Sequence, residues 1–392
     1  MSIFGDHPRF DPRPSLHGEN TFSFLRRVSG NYWDECRKLI DSWVSNFPDS
    51  DRSSLIGQLT CGDDHQFTSA FWELYLHETY RRDGWTITVH PSVPNAPTHP
   101  DFLVEKGDRA HYIEARCVYG DEDRAAQGRL DSIYAAVDKI DSGPFHLAVT
   151  AHRIGAISPS SRKLTGDLEH WLQGLDPDEV NLSLGGENED AFDWVLDDWR
   201  IRFVPIPRDP EVRGAPARRP IGLHMPPSAE FIDDIHPFRK ALEKKGRHYG
   251  RLPYPLLIAI HTVRGFHGDS DTTQALFGTV GYQLDFQDPS REATPVITER
   301  GFWRGKNTPR NSHVSGIILA DTLHYGAVAS IVPTYWPNPW ATEEIAPLSL
   351  WSRVDYANST LNTAARIVPA SLPYLHFDLP RGWPQATAFE RS

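Results

Sequence analysis

A chain of 392 residues is longer than one hydrophobic core usually organises, and with 39% hydrophobic and 11% aromatic content it has the material for two modules or one elaborated α/β domain. Its net charge of −12 excludes a protein that coats nucleic acid over its whole surface. Three cysteines without CxxC spacing (Cys36, Cys61, Cys117) exclude a disulfide framework and a zinc knuckle; with no 18-residue apolar run and no charged-then-apolar leader, the expectation is a cytoplasmic protein without a membrane span.

In chain order, residues 1–20 are rich in Pro, Gly, His and charge and are expected to be loosely ordered. Trp33, Cys36, Leu39, Ile40, Trp43, Val44 and Phe47 trace an amphipathic helix over 31–47. A second helix is predicted over 66–80 from Phe67, Ala70, Phe71, Leu74 and Glu78, with Asp63 or Asp64 as its cap. Asp83-Gly84 ends it, and Trp85 to His90 alternates as a strand. Residues 98–118 read as a β-hairpin, 131–140 as a helix, 145–151 as a strand and 164–175 as a helix. An acidic loop follows over 176–190, a strand over 194–205 and an Arg/Pro-rich segment over 205–220. The stretch 231–249 is predicted as a helix in two parts around Pro237, and 254–262 as a strand buried on both faces. Beyond it the clear strand is 314–320, and 333–351 is a loop-rich stretch anchored by Trp336, Trp340 and Trp351.

The hairpin carries the chemistry. Asp101 to Glu105 and Ala110 to Glu114 are strand-like runs joined across Gly107-Asp108. That turn sets Glu105 against Ala110 and, running back, Asp101 against Glu114. Directly opposed residues have Cβ atoms roughly 4.5–5.5 Å apart, and like charges there repel. A divalent cation between them is the expected remedy. Glu114 and Arg116 share one face of the second strand, while Ile113, Ala115 and Cys117 share the other.

Pro100-Asp101 followed by Glu114-Ala115-Arg116 resembles the PD-(D/E)xK signature of the restriction-endonuclease-like nucleases, with Arg116 where that family usually has Lys. The resemblance implies a mixed central sheet flanked by helices, in the order helix, strand, Pro-Asp strand, Glu-x-Arg strand. It implies Mg²⁺ or Mn²⁺ held by Asp101, Glu114 and the Ala115 carbonyl. Glu73, on the preceding helix with His77 four residues on, would hold a second metal or an ordered water. It implies cleavage of DNA, more than RNA, in prokaryotic defence, restriction or repair, with a homodimer or a defence-system protein as partner. Arg116 stays charged and so would stabilise the transition state rather than act as a base.

There are 8 lysines against 32 arginines. Lys245 falls on the apolar stripe of Phe238, Ala241, Leu242 and Tyr249, and is the candidate for the missing lysine's role. Around it, Arg239, Lys240, Lys244 and Arg247 form a basic cluster suited to phosphates. A second cluster is Arg200, Arg202, Arg208, Arg213, Arg218 and Arg219. His65, His77, His90, His99 and His111 bracket the hairpin in sequence. GxSxG, GxxxxGK[ST] and GxGxxG patterns are absent, which removes the handles of serine hydrolases, P-loop NTPases and Rossmann enzymes. The expected organisation is an N-terminal helical segment (1–60), a nuclease-like core (61–265) with an insertion near 176–220, and a C-terminal extension (266–392). Two other functions fit the same residues: a catalytically degenerate relative that binds nucleic acid or a partner, and an unrelated carboxylate hydrolase acting on sugar or a small phosphate.

Overall fold

The computed structural model describes all residues except 1, 94–97, 120–123, 182, 184–187, 214–219, 225–234, 247–251, 264–267, 284–293, 306–307, 357–363, 368, 370 and 390–392. The chain divides into two compact units, one of residues 1–12, 21–121 and 233–392, the other of 13–20 and 122–232. These boundaries cut the chain elsewhere than the 1–60, 61–265 and 266–392 segments expected. The middle of the chain carries its own core instead of a loose Arg/Pro insertion.

The first unit opens with helices α1 (Thr21–Arg27), α2 (Asn31–Asn46), α3 (Asp49–Thr60) and α4 (Asp64–Arg82), then strands β1 (Thr86–Val89), β2 (Phe102–Lys106) and β3 (Arg109–Val118). The second unit is α5 (Arg124–Val137), β4 (Phe145–Arg153), α6 (Ser161–Gln173), β5 (Phe192–Leu196), β6 (Trp199–Pro207) and β7 (Ile221–His224). The chain returns to the first with α7 (Ile235–Gly246), β8 (Leu256–Thr262), α8 (Asp269–Phe277), β9 (Gly278–Gln283), β10 (Thr294–Arg300), β11 (Val314–Asp321), β12 (Thr334–Pro337), β13 (Ser352–Tyr356), β14 (Ala364–Ile367) and α9 (Pro373–His376).

The first unit is built on a mixed sheet ordered β1-β2-β3-β8-β11-β12-β13-β14. Its centre is three parallel strands, β3, β8 and β11, with antiparallel neighbours β2 and β12. Every residue of β8 is buried, as its unbroken apolar run requires of a strand covered on both faces. Phe71 and Leu74 of α4 pack with Ile113, Cys117, Leu257 and Ala259 on one face. Phe238 and Leu242 of α7 pack with Tyr112, Ile258 and Ile260 on the other. The mixed sheet flanked by helices is therefore as expected from sequence. The second unit has the sheet order β5-β6-β4-β7, with the apolar faces of α5 and α6 forming one core against it.

Four elements differ from expectation, each for a local reason. Residues 2–12 are tied down: the Arg9 guanidinium donates to the carbonyls of Phe4, Gly5 and Arg26, and Phe4 is fully buried. The 194–205 run is two strands, because Asp197 takes a left-handed conformation (φ 49°) that Asp tolerates, and the chain turns between Leu196 and Trp199. Pro237 does not split a helix. It sits in the first turn of α7, where its missing N–H has no intrahelical partner to lose. The tail holds more strands than one, since β12 to β14 are short and are ordered by their neighbours rather than by alternation of their own.

Glu78, read from sequence as part of the apolar stripe of α4, is fully buried as a carboxylate. Arg81 and Arg82 bind it at 2.8 and 2.6 Å, and the Asn46 amide adds a further bond. Burial pushes its pKa up, but the two guanidinium groups outweigh this and hold it below the usual value. Glu78→Ala leaves two cations facing a vacated pocket, and a loss of about 3 kcal/mol is expected in urea unfolding. That is the low end for a broken buried pair, because both arginines reach water. A change under about 1 kcal/mol would show the network to be a spectator.

Candidate functional site

The hairpin folds in the predicted register: Glu105 pairs with Ala110, Leu103 with Tyr112 and Phe102 with Ile113. Gly107 has φ 64° at the first central position of a two-residue turn, a conformation glycine adopts without penalty. Pairing stops at Phe102–Ile113, one step short of Asp101 and Glu114. On its other side β3 stays paired with β8 as far as Val118–Thr262. The sheet is thus open on one side of β3 from Glu114 onward, and that opening is the candidate site.

Asp101 fills its inner corner. Its Oδ2 accepts a hydrogen bond from the Ala115 N–H at 2.6 Å, and its carbonyl accepts from the His90 N–H at 2.9 Å. Backbone groups alternate in direction along a strand. The Tyr112 N–H bonds the Pro255 carbonyl, on the β8 side, so residues 113 and 115 turn theirs toward β2. The Ala115 carbonyl therefore opens on the same side as the Asp101 carboxylate. Glu114, 1% exposed, is in register with Ile258 on the face covered by α7. Arg116 follows on that face and is exposed.

Asp101, Glu114 and the Ala115 carbonyl are all hard oxygen donors, two of them charged. This set suits Mg²⁺ or Mn²⁺, which take one or two protein carboxylates and fill the rest of their shell with water and substrate oxygens. Glu73 does not complete it. Its helix lies on the Ile113/Ala115/Cys117 face, and its charge acts on the Cys117 thiol. Among the described residues no group of three or more His, Cys, Asp or Glu side chains is gathered for a metal ion. The expected cluster of Glu73, Asp101 and Glu114 is not formed, because helical spacing fixes which side of α4 Glu73 occupies but not which face of the sheet α4 covers.

The histidines do not gather either. His77 packs on Phe47 and burial pushes it down to about 4. His111 meets the Tyr80 hydroxyl at 2.8 Å, and burial together with the Arg109 charge pushes it down to about 3. His65 lies against Tyr119 and His90 against Asp51. His99 is exposed. Sequence reasoning missed one pair: the Cys117 thiol lies 3.7 Å from Nδ1 of His261, both buried. Their in-register positions on β3 and β8 are the signal, and that signal exists only once the strands are known to be neighbours.

Of the basic cluster on α7, Lys240 and Lys244 are exposed, and Arg239 pairs with Glu299 at 3.3 Å. The Lys245 side chain and Arg247 lie outside the described residues. The other cluster is largely consumed internally. Arg202 pairs with Asp193, Arg213 with Asp178, and buried Arg208 donates to the Gly143 carbonyl. Arg218 and Arg219 lie outside the described residues. No helix among the described residues is long and apolar enough to cross a membrane.

Comparison with family models, with curated proteins and with solved structures gives no match.

Proposed function

We propose that the protein is a metal-dependent endonuclease of the restriction-endonuclease-like kind, hydrolysing DNA phosphodiesters with Mg²⁺ or Mn²⁺. The observation that carries this reading is the Asp101 carboxylate held on the Ala115 amide where the hairpin opens, one register step from buried Glu114. The succession α4, β1, β2, β3, with β8 added beside β3, supports it, being the order that the sequence resemblance implies.

In this reading Asp101, Glu114 and the Ala115 carbonyl hold the cation. When bound, it polarises the phosphate and lowers the pKa of an attacking water. Arg116, exposed and always charged, neutralises the scissile phosphate and takes no proton. Lys245 belongs to α7, the helix over the Glu114 face, which favours it as the lysine of this site. Lys240 and Lys244 extend the positive charge along that helix for the DNA backbone.

The test is incubation of supercoiled plasmid and single-stranded DNA with Mg²⁺ or Mn²⁺, comparing wild type with Asp101→Ala and Glu114→Ala. Metal-dependent nicking lost in both variants is expected. No cleavage by wild type with either metal, or undiminished cleavage by both variants, rejects the assignment. Lys245→Met tests that residue alone, and unchanged turnover removes it from the site.

A second reading, a relative that binds nucleic acid without cutting, is favoured by two observations: arginine stands at position 116, and Glu73 lies on the opposite face. It predicts DNA binding without cleavage, and recovery of cleavage in Arg116→Lys.

A further inference from the structure

The second unit contains a histidine pair that the proposed nuclease chemistry does not use. His17, in the 13–20 strip of that unit, turns Nε2 toward Nε2 of His224 at 2.8 Å. Its Nδ1 lies 2.7 Å from Oδ2 of Asp138, just beyond the end of α5. His224 is the last residue of β7 and is exposed, while His17 and Asp138 are about nine-tenths covered. Tyr134, in the last turn of α5, packs against both rings at 5.2 and 4.7 Å and fixes their mutual tilt. Three separate stretches of the unit thus converge on one pair of nitrogens.

The carboxylate decides what that pair can do. A histidine donating Nδ1–H to a carboxylate carries its lone pair on Nε2, the outer-shell arrangement that orients histidine ligands toward metals. Nitrogens 2.8 Å apart, each about 2.0 Å from a metal, subtend an angle of roughly 90° there. That is the cis angle of a square-planar or octahedral centre, whereas a tetrahedral ion would hold them roughly 3.3 Å apart. The exposed side of His224 leaves the remaining positions to water.

We propose that His17 and His224 form a binding site for a first-row divalent transition metal of tetragonal preference, Cu²⁺ or Ni²⁺ in chemical class, with Asp138 orienting His17. The site pins the 13–20 strip to β7 and α5 within the unit. It is chemically distinct from the hard-oxygen site of Asp101 and Glu114, and it stands whether or not the protein cuts DNA.

The experiment titrates the full-length, metal-stripped protein with Cu²⁺, read by calorimetry and by electron paramagnetic resonance. Wild type is expected to bind one equivalent showing two-nitrogen coordination. His17→Ala and His224→Ala lose that equivalent. Asp138→Asn keeps the stoichiometry but weakens binding about 10–100-fold. His152→Ala, at an exposed histidine of the same unit, and Asp101→Ala leave it unchanged. Far-UV circular dichroism of each variant confirms folding, and Cu²⁺ raises the Tm of wild type but not of His224→Ala. If wild type shows no two-nitrogen signal, or either histidine variant retains it, the contact is a direct imidazole hydrogen bond and the proposal is overturned.

Discussion

Lowering the pH from 6.5 to 4.5 is expected to unfold the protein, well above the pH at which its carboxylates titrate. His77, His111 and His261 are each 4% exposed or less, and burial pushes them down to about 4, 3 and 4. In the unfolded chain the same imidazoles titrate near 6.5. A depressed histidine is neutral in the fold and charged in the coil, so the unfolded state binds more protons as pH falls through 6.5. Stability is fully present above that value and is lost toward the folded pKa values. Each proton is worth about 1.4 kcal/mol per pH unit, so three approach about 4 kcal/mol per unit. Two units of acidification then cost roughly 8 kcal/mol, as much as many whole domains possess. Glu78 acts in the same direction lower down: its depressed pKa contributes stability above its unfolded value, lost as pH falls further.

The measurement is the urea midpoint at pH 7, 6 and 5, with proton uptake on unfolding. His77→Leu should cut the pH dependence by about a third, and it removes a buried Nδ1 that has no hydrogen-bond partner. A midpoint constant down to pH 5 would show these rings to be protonated, or hydrated, in the fold.

In the proposed nuclease, Asp101→Asn and Glu114→Gln are each expected to lower Mg²⁺-dependent cleavage by about a thousandfold or more, since each removes a charged ligand from a cation held by only two. The substitutions at position 101 differ in what they leave behind. The amide oxygen introduced by Asp101→Asn still accepts from the Ala115 N–H, so the hairpin keeps its open end and stability changes by less than about 1 kcal/mol. Asp101→Ala leaves that N–H without its acceptor. The plainer role for Asp101, a cap for one strand amide, predicts a different pattern: Asp101→Asn neutral in every assay and Asp101→Ala destabilising. Cleavage and urea unfolding of the three variants separate the roles, and full activity in Asp101→Asn would reduce Asp101 to the cap.

Much of the hairpin was legible because its determinants are local. The two-residue turn, the alternation of Phe102, Val104, Tyr112 and Ile113, and the face shared by Glu114 and Arg116 follow from the chain's own period. The caps and apolar spacing of α2 and α4 and the unbroken run of β8 were legible for the same reason. Asp197, β12 and β14 were not, since a single left-handed residue and four-residue strands leave no periodic trace. The Arg200–Arg213 cluster looked like a surface for polyanions, but its acids, Asp193 and Asp178, come from elsewhere in the second unit.

The sequence by itself determined the register that brings Asp101 one step from Glu114, because a tight turn and a period of two leave no freedom along a hairpin. Tertiary structure alone decided which partners those strands would have. It put β8 beside β3, α7 over Glu114 and α4 with Glu73 over the opposite face, and it joined His17 to His224 across 207 residues. The reason is physical: an amphipathic element states which of its faces must be buried, while what it is buried against depends on the apolar surfaces that every other element leaves uncovered.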